Sequence, residues 1–179
     1  MSRAAALLAL ALSACSRDDH TVAAAEAIDH EVDHATHLAL AACKPDHDGA
    51  TSLRATTVAG AFSIALGAEA ACASAPSCSA PASTTERAAS VRELPADSRT
   101  ILLDAGAAVK LALGASRGEP RARLGVALLA SERAAGTALS LAKLCGNPAR
   151  VSEVPEAMSR LDAARGASRA ATKALRGGG

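Results

Sequence analysis

Two groups of side chains in this sequence have chemical potential: a run of imidazoles and carboxylates, and a set of five cysteines. His30-Glu31-Val32-Asp33-His34 puts two imidazoles one helical turn apart with a carboxylate between them, the residue types that bind zinc and activate a water. A zinc-dependent hydrolase would use Glu31 as its base, but Asp33 charges a side of the helix that such a site buries, and no third ligand follows at a recognisable spacing. A milder reading needs only a binding site. Glu26, His30, Asp33, His34 and His37 share one sector of a helix, so His30 with His34, or His34 with His37, could hold one Zn²⁺, Cu²⁺ or Ni²⁺ ion. His30 and His37 stand about 10.5 Å apart along the axis at 1.5 Å rise per residue, so a closed site needs a ligand from another helix or from His47. Without one, the sector is a solvated polar face that gains charge as histidine titrates.

The cysteines divide into one and four. Met1-Ser2-Arg3 is a short basic start, Ala4 to Leu12 is an unbroken run of alanine and leucine, and the run ends in Leu12-Ser13-Ala14-Cys15. The run is shorter than the roughly 20 apolar residues needed to span a bilayer. Leu12-Ser13-Ala14-Cys15 resembles the lipobox of bacterial lipoproteins at all four positions. The resemblance covers the first fifteen residues and implies that 1–14 is a signal peptide and that the Cys15 thiol carries lipid as the mature N-terminus. Membrane attachment through two or three acyl chains would follow. In Gram-negative members of that family an aspartate directly after the cysteine marks inner-membrane retention. Ser16 stands there, so the resemblance implies the outer membrane, facing the periplasm. Ser16-Arg17-Asp18-Asp19-His20 then reads as a polar tether over 15–20.

Setting Cys15 aside leaves Cys43, Cys72, Cys78 and Cys145, an even number suited to an oxidising compartment. Four cysteines allow three connectivities. If the chain reverses at a corner near Pro95, an up-and-down order brings Cys43 to Cys145 and leaves Cys72 to Cys78 as a local bridge; without that reversal Cys145 lies at the far end.

The elements that must position these groups are helices. Alanine dominates the apolar half of the composition and Phe62 is the sole aromatic, so helix propensity is high, strand formers are sparse and each buried methyl contributes little. Val22, Ala25, Ile28, Val32, Ala35, Ala39 and Ala42 form a stripe over 21–43. A turn at 44–49 precedes a helix over 52–73 that buries Val58, Ala61, Phe62, Ala65 and Cys72 and stops before Pro76 and Pro81. Ser83-Thr84-Thr85-Glu86 fits a capping box opening a short helix over 84–93. A corner at 94–97, a stripe from Ile101 to Ala112, a helix over 120–144 with Pro120 in its first turn, and a last helix from about Ser152 complete the chain.

The expectation is therefore an all-α, alanine-rich, up-and-down bundle of about five helices over 21–176, after a signal peptide and before a flexible tail at 177–179. Nineteen basic and eighteen acidic residues leave no global field, and there is no phosphate-binding glycine loop or base-stacking platform, so nucleic acid is not an expected partner. Arg165, Arg169, Lys173 and Arg176 form one basic face of the last helix, open to a polyanion of the envelope or to solvent. The leading expectation is a non-enzymatic, membrane-anchored envelope lipoprotein without a required cofactor, with a structural or interaction role and an envelope protein or polyanion as partner. The alternatives are a periplasmic metal-binding or metal-sensing lipoprotein that uses the histidines with Zn²⁺ or Cu²⁺, and the hydrolase.

Overall fold

The computed structural model describes the backbone of residues 3–75, 78 and 82–177, and the side chains of 19–75, 78 and 84–177. Six α-helices are present: α1 (Arg3–Ala41), α2 (Gly49–Ser74), α3 (Ala82–Ala89), α4 (Ala96–Ala115), α5 (Gly118–Cys145) and α6 (Val154–Arg176). A 3₁₀ turn over Pro148–Glu153 leads into α6, and the described residues contain no strand. The fold is all-helical as the composition requires, but with six helices rather than about five.

The short helix expected over 84–93 is α3, eight residues long, and counting it beside the five long helices makes six. It starts at Ala82, one residue before the expected cap at Ser83, and ends at Ala89 instead of 93, because Ser90 turns back on it. The Ser90 amide donates to Glu86 and Arg87 carbonyls and its hydroxyl donates to Arg87, which satisfies the terminal carbonyls. The α1 backbone is helical from Arg3, so it runs through the stretch expected to be signal peptide and tether. The side chains of 1–18, Cys15 among them, lie outside the described residues, as do Gly178 and Gly179 of the expected tail.

Each helix direction follows from named contacts. The ends of α1 and α5 meet at Cys43 and Cys145. The α5 start lies against the α2 end, where Arg121 donates to the Ala73 carbonyl. Ser63 donating to Glu132 carries this antiparallel register along the pair. Asp97 at the start of α4 binds Arg54 near the start of α2, so α4 descends beside α2, and α3 must carry the chain upward between them. The two-residue connection at 116–117 then turns the chain into α5, and Gly118 at φ +58° supplies the left-handed geometry that other residues resist. Finally α6 runs antiparallel to α1, with Arg165 at Asp33 and Arg176 at Asp29.

The core is thin in large side chains. Phe62, Ile28, Leu66, Leu102, Leu113, Leu124, Leu128, Leu141 and Leu161 are fully buried, embedded in alanines from every helix. Most of the α1 stripe, from Ala25 to Ala42, is buried as the periodicity predicts, whereas Val22 is half-buried and Met158 of α6 is exposed. Small residues let backbones approach: a Cβ built on Gly125 of α5 would stand 3.2 Å from the Ala73 Cβ of α2. Among the described residues α2 is one helix long and apolar enough to cross a membrane, but its Phe62 and Leu66 side is spent on this core.

Candidate functional sites

The cysteine pairs are Cys43–Cys145, with Cα atoms 4.9 Å apart and a sequence separation of 102, and Cys72–Cys78, 5.2 Å apart with a sequence separation of 6. These are the partners that the up-and-down order with a reversal near Pro95 assigns. The first bridge ties the ends of the parallel helices α1 and α5. The second braces the turn where α2 stops.

That turn is also held by a group the sequence reading did not single out. Arg121 is buried in the first turns of α5 and donates to the carbonyls of Cys72 (2.9 Å), Ala73 (3.1 Å), Ala75 (3.1 Å), Cys78 (2.7 Å) and Leu113 (2.8 Å). No carboxylate ion-pairs with it among the described residues. Its charge is balanced by the negative ends of α2 and α4, whose last carbonyls have no intrahelical partner. One guanidinium therefore joins two helix ends and the disulfide loop. In sequence it is one arginine among many near a helix start, a place where positive charge is disfavoured, so no local signal marks it.

The histidine sector is divided between two neighbouring helices. His34 is half-buried; its Nε2 shares a 2.9 Å hydrogen bond with Ser98 of α4, and its ring lies 6.0 Å from that of Phe62. Burial lowers its pKa, opposed by the charge of Asp97. Asp33 turns to α6, accepting from Arg165 and Arg169, while Asp29 accepts from Thr172 and Arg176. Burial pushes the Asp33 carboxyl up, but the Arg169 and Arg165 hydrogen bonds and charges outweigh it and hold the pKa below the ordinary value. His30 and His37 are exposed, and His47 bonds its own turn at the Lys44 carbonyl. Among the described residues no group of three or more His, Cys, Asp or Glu side chains is placed to hold a metal ion. The basic face of α6 is engaged: Arg165, Arg169 and Arg176 each pair with an α1 carboxylate.

Glu31 points away from this sector into the core, where the charge of a second buried carboxyl acts on it. Glu31 of α1 and Glu69 of α2 are each 1% exposed. The Thr85 hydroxyl of α3 donates to Glu69 Oε1 at 3.0 Å, while Glu31 Oε1 and Glu69 Oε2 are buried without a partner. Gly106 of α4 closes the group: a Cβ there would stand 2.6 Å from Thr85 Cγ2 and 3.5 Å from Glu69 Oε1. Burial first, and then the charge of Glu69, push the Glu31 carboxyl well above its ordinary value. Burial raises Glu69 to about 7 against the opposing Thr85 hydrogen bond. The arrangement retains protons at pH values where exposed carboxyls have lost them. Glu31 was visible in sequence as an acidic residue between histidines; Glu69, alone in an apolar helix, was the available signal for its partner.

Comparison with protein-family models, with curated proteins and with solved structures finds no match for the chain.

Proposed function

We propose that this chain is a bacterial lipoprotein of the cell envelope, anchored through lipid on Cys15 after removal of 1–14, whose disulfide-stapled bundle has a non-enzymatic structural or interaction role. The observation that carries the reading is the division of the cysteines. Cys43, Cys72, Cys78 and Cys145 pair with one another, which suits an oxidising compartment, and Cys15, the one left over, stands at the end of the lipobox-like Leu12-Ser13-Ala14-Cys15. Ser16 in place of aspartate favours the outer membrane of a Gram-negative cell, with the bundle facing the periplasm.

The partner we favour is another envelope protein rather than a polyanion. Three of the four basic side chains that would meet a polyanion on α6 are bound to Asp29 and Asp33 of α1, and breaking those pairs would offset the gain. The deciding experiment is metabolic labelling with a fatty acid in an expressing bacterium, comparing the wild type with Cys15→Ala. Label that depends on Cys15, with the protein in the membrane fraction, is the expected result. Equal labelling of both chains, or none of either, overturns the anchor.

A further inference from the structure

We propose that Glu31 and Glu69 form a proton-dependent latch in the core, closed while the pair holds its protons and loosened, at the junction of α1, α2, α3 and α4, when alkaline conditions remove them. The inference stands on geometry. Two carboxyls from different helices are 1% exposed each, and an oxygen on each has no partner. A solvated carboxylate would show neither feature. Four helices converge there, with Thr85 bonded to Glu69 and Gly106 packed on Thr85.

Several charged groups of the surrounding helices are engaged elsewhere. On α5, Glu132 accepts from Ser63 and Arg121 donates to backbone carbonyls. On α6, Arg165, Arg169 and Arg176 bind Asp33 and Asp29. On the α1–α4 side, His34 faces Ser98, and Asp97 binds Arg54 of α2. What acts on the pair is burial first, then the charge of Glu69 on Glu31 and the Thr85 hydroxyl of α3 on Glu69. When both carboxyls ionise, two buried like charges share one core, with the Thr85 hydroxyl donating to Glu69 alone, and separating the helices to admit water becomes the cheaper state.

The sign is set by proton binding. Both carboxyls have folded-state pKa values raised above their unfolded ones, so the folded chain holds more protons and stability falls as pH rises. The fall begins near the unfolded value of 4.5 and runs up to about 7 for Glu69, and Glu31, raised in the same direction, adds to it. For each retained proton the unfolding constant grows about tenfold per pH unit inside that window. His34 works in the opposite direction, since its lowered pKa favours the folded chain as pH rises.

Thermal and denaturant unfolding of the full-length, disulfide-intact chain between pH 5 and 9 tests this. In the wild type the unfolding constant should rise by about a hundredfold or more between pH 5 and 7. In Glu31→Gln/Glu69→Gln, where neutral amides of nearly the same shape cannot ionise, that rise should vanish and the variant should be the more stable chain at pH 8. A wild type whose stability is flat or increasing over this range, or a double variant with the wild-type slope, overturns the latch. Should the double variant not fold, ¹³C NMR titration of the wild-type glutamate carboxyls decides the matter directly: two buried carboxyls that titrate in the ordinary range near pH 4–5 overturn it, and two that titrate at 6.5 or above support it.

Discussion

At Gly106 the space for a side chain is already occupied. Gly106→Ala would push a methyl into Thr85 Cγ2, and Thr85, stiff at χ1, can yield only by giving up its bond to Glu69. The cost expected is about 1–3 kcal/mol. Gly114, in the same helix with nothing within 4 Å of a built Cβ, is the control: Gly114→Ala should be neutral or stabilise by up to about 1 kcal/mol. Melting temperatures of the two variants separate close packing from helix propensity. On the acid side Asp33 has the opposite linkage from the buried pair. Its pKa lies below the ordinary 3.8, so its contribution is present above that value and is lost as pH falls through the lower folded value. Asp33→Asn should lower stability at pH 6 and above, where the Arg165 and Arg169 pairs are lost, and flatten the profile below pH 4, which acid titration by circular dichroism would read. These residues differ in legibility. The carboxylate of Asp33 and the arginines of α6 could be seen in sequence as charged faces, but not that the faces meet, because that depends on how α1 and α6 are rotated about their axes.

Among elements, the ends of helices carry much of the specificity. Arg121→Lys keeps the charge but has a single point of donation in place of a planar fork, so most of the five carbonyls that Arg121 serves would lose a donor. A loss of about 2–4 kcal/mol is expected, measurable by denaturant titration, together with faster reduction of Cys72–Cys78 as its loop loosens. The two disulfides should contribute unequally. Their sequence separations of 102 and six residues correspond to about 5 and about 2 kcal/mol of denatured-chain entropy. Cys43→Ser/Cys145→Ser should therefore lower stability about twice as much as Cys72→Ser/Cys78→Ser, and equal losses would show that the long loop is already restrained in the unfolded chain. Periodicity located five long helices because 3.6-residue repetition is a local property. The short α3 was anticipated from its capping sequence, but its length was set by Ser90, whose backward hydrogen bonds compete with further helix.

For the molecule as a whole, an alanine-rich core has little redundancy. Phe62 is the only aromatic in the chain and is fully buried. Phe62→Ala should cost about 3–5 kcal/mol, against a total stability of about 5–15 kcal/mol for a domain. Loss of Cys43–Cys145 in addition should leave the chain largely unfolded, so Phe62→Ala is expected to retain cooperative melting when oxidised and to lose it under reducing agent. This dependence on disulfides fits the proposed residence in an oxidising envelope, where the bridges persist, and gives export a structural consequence as well as a destination.

The sequence by itself determined that the chain is helical, which stripes turn inward and where the turns fall, and it tied the cysteine pairing to a reversal near Pro95 that it left open. Each of these is written in local spacing: apolar residues every three or four positions, prolines and glycines at breaks, and thiols at helix ends. Only the tertiary structure decided that Glu31 leaves its histidine neighbours for Glu69, that His34 goes to Ser98 while Asp33 goes to Arg165, and that Arg121 binds two helix ends. The physical reason is the alanine itself. Its small, uniform methyl group marks a face as buried without saying which neighbour, at which height, it is buried against, so rotation and stagger are settled by the few large or polar side chains whose partners lie far away in the sequence.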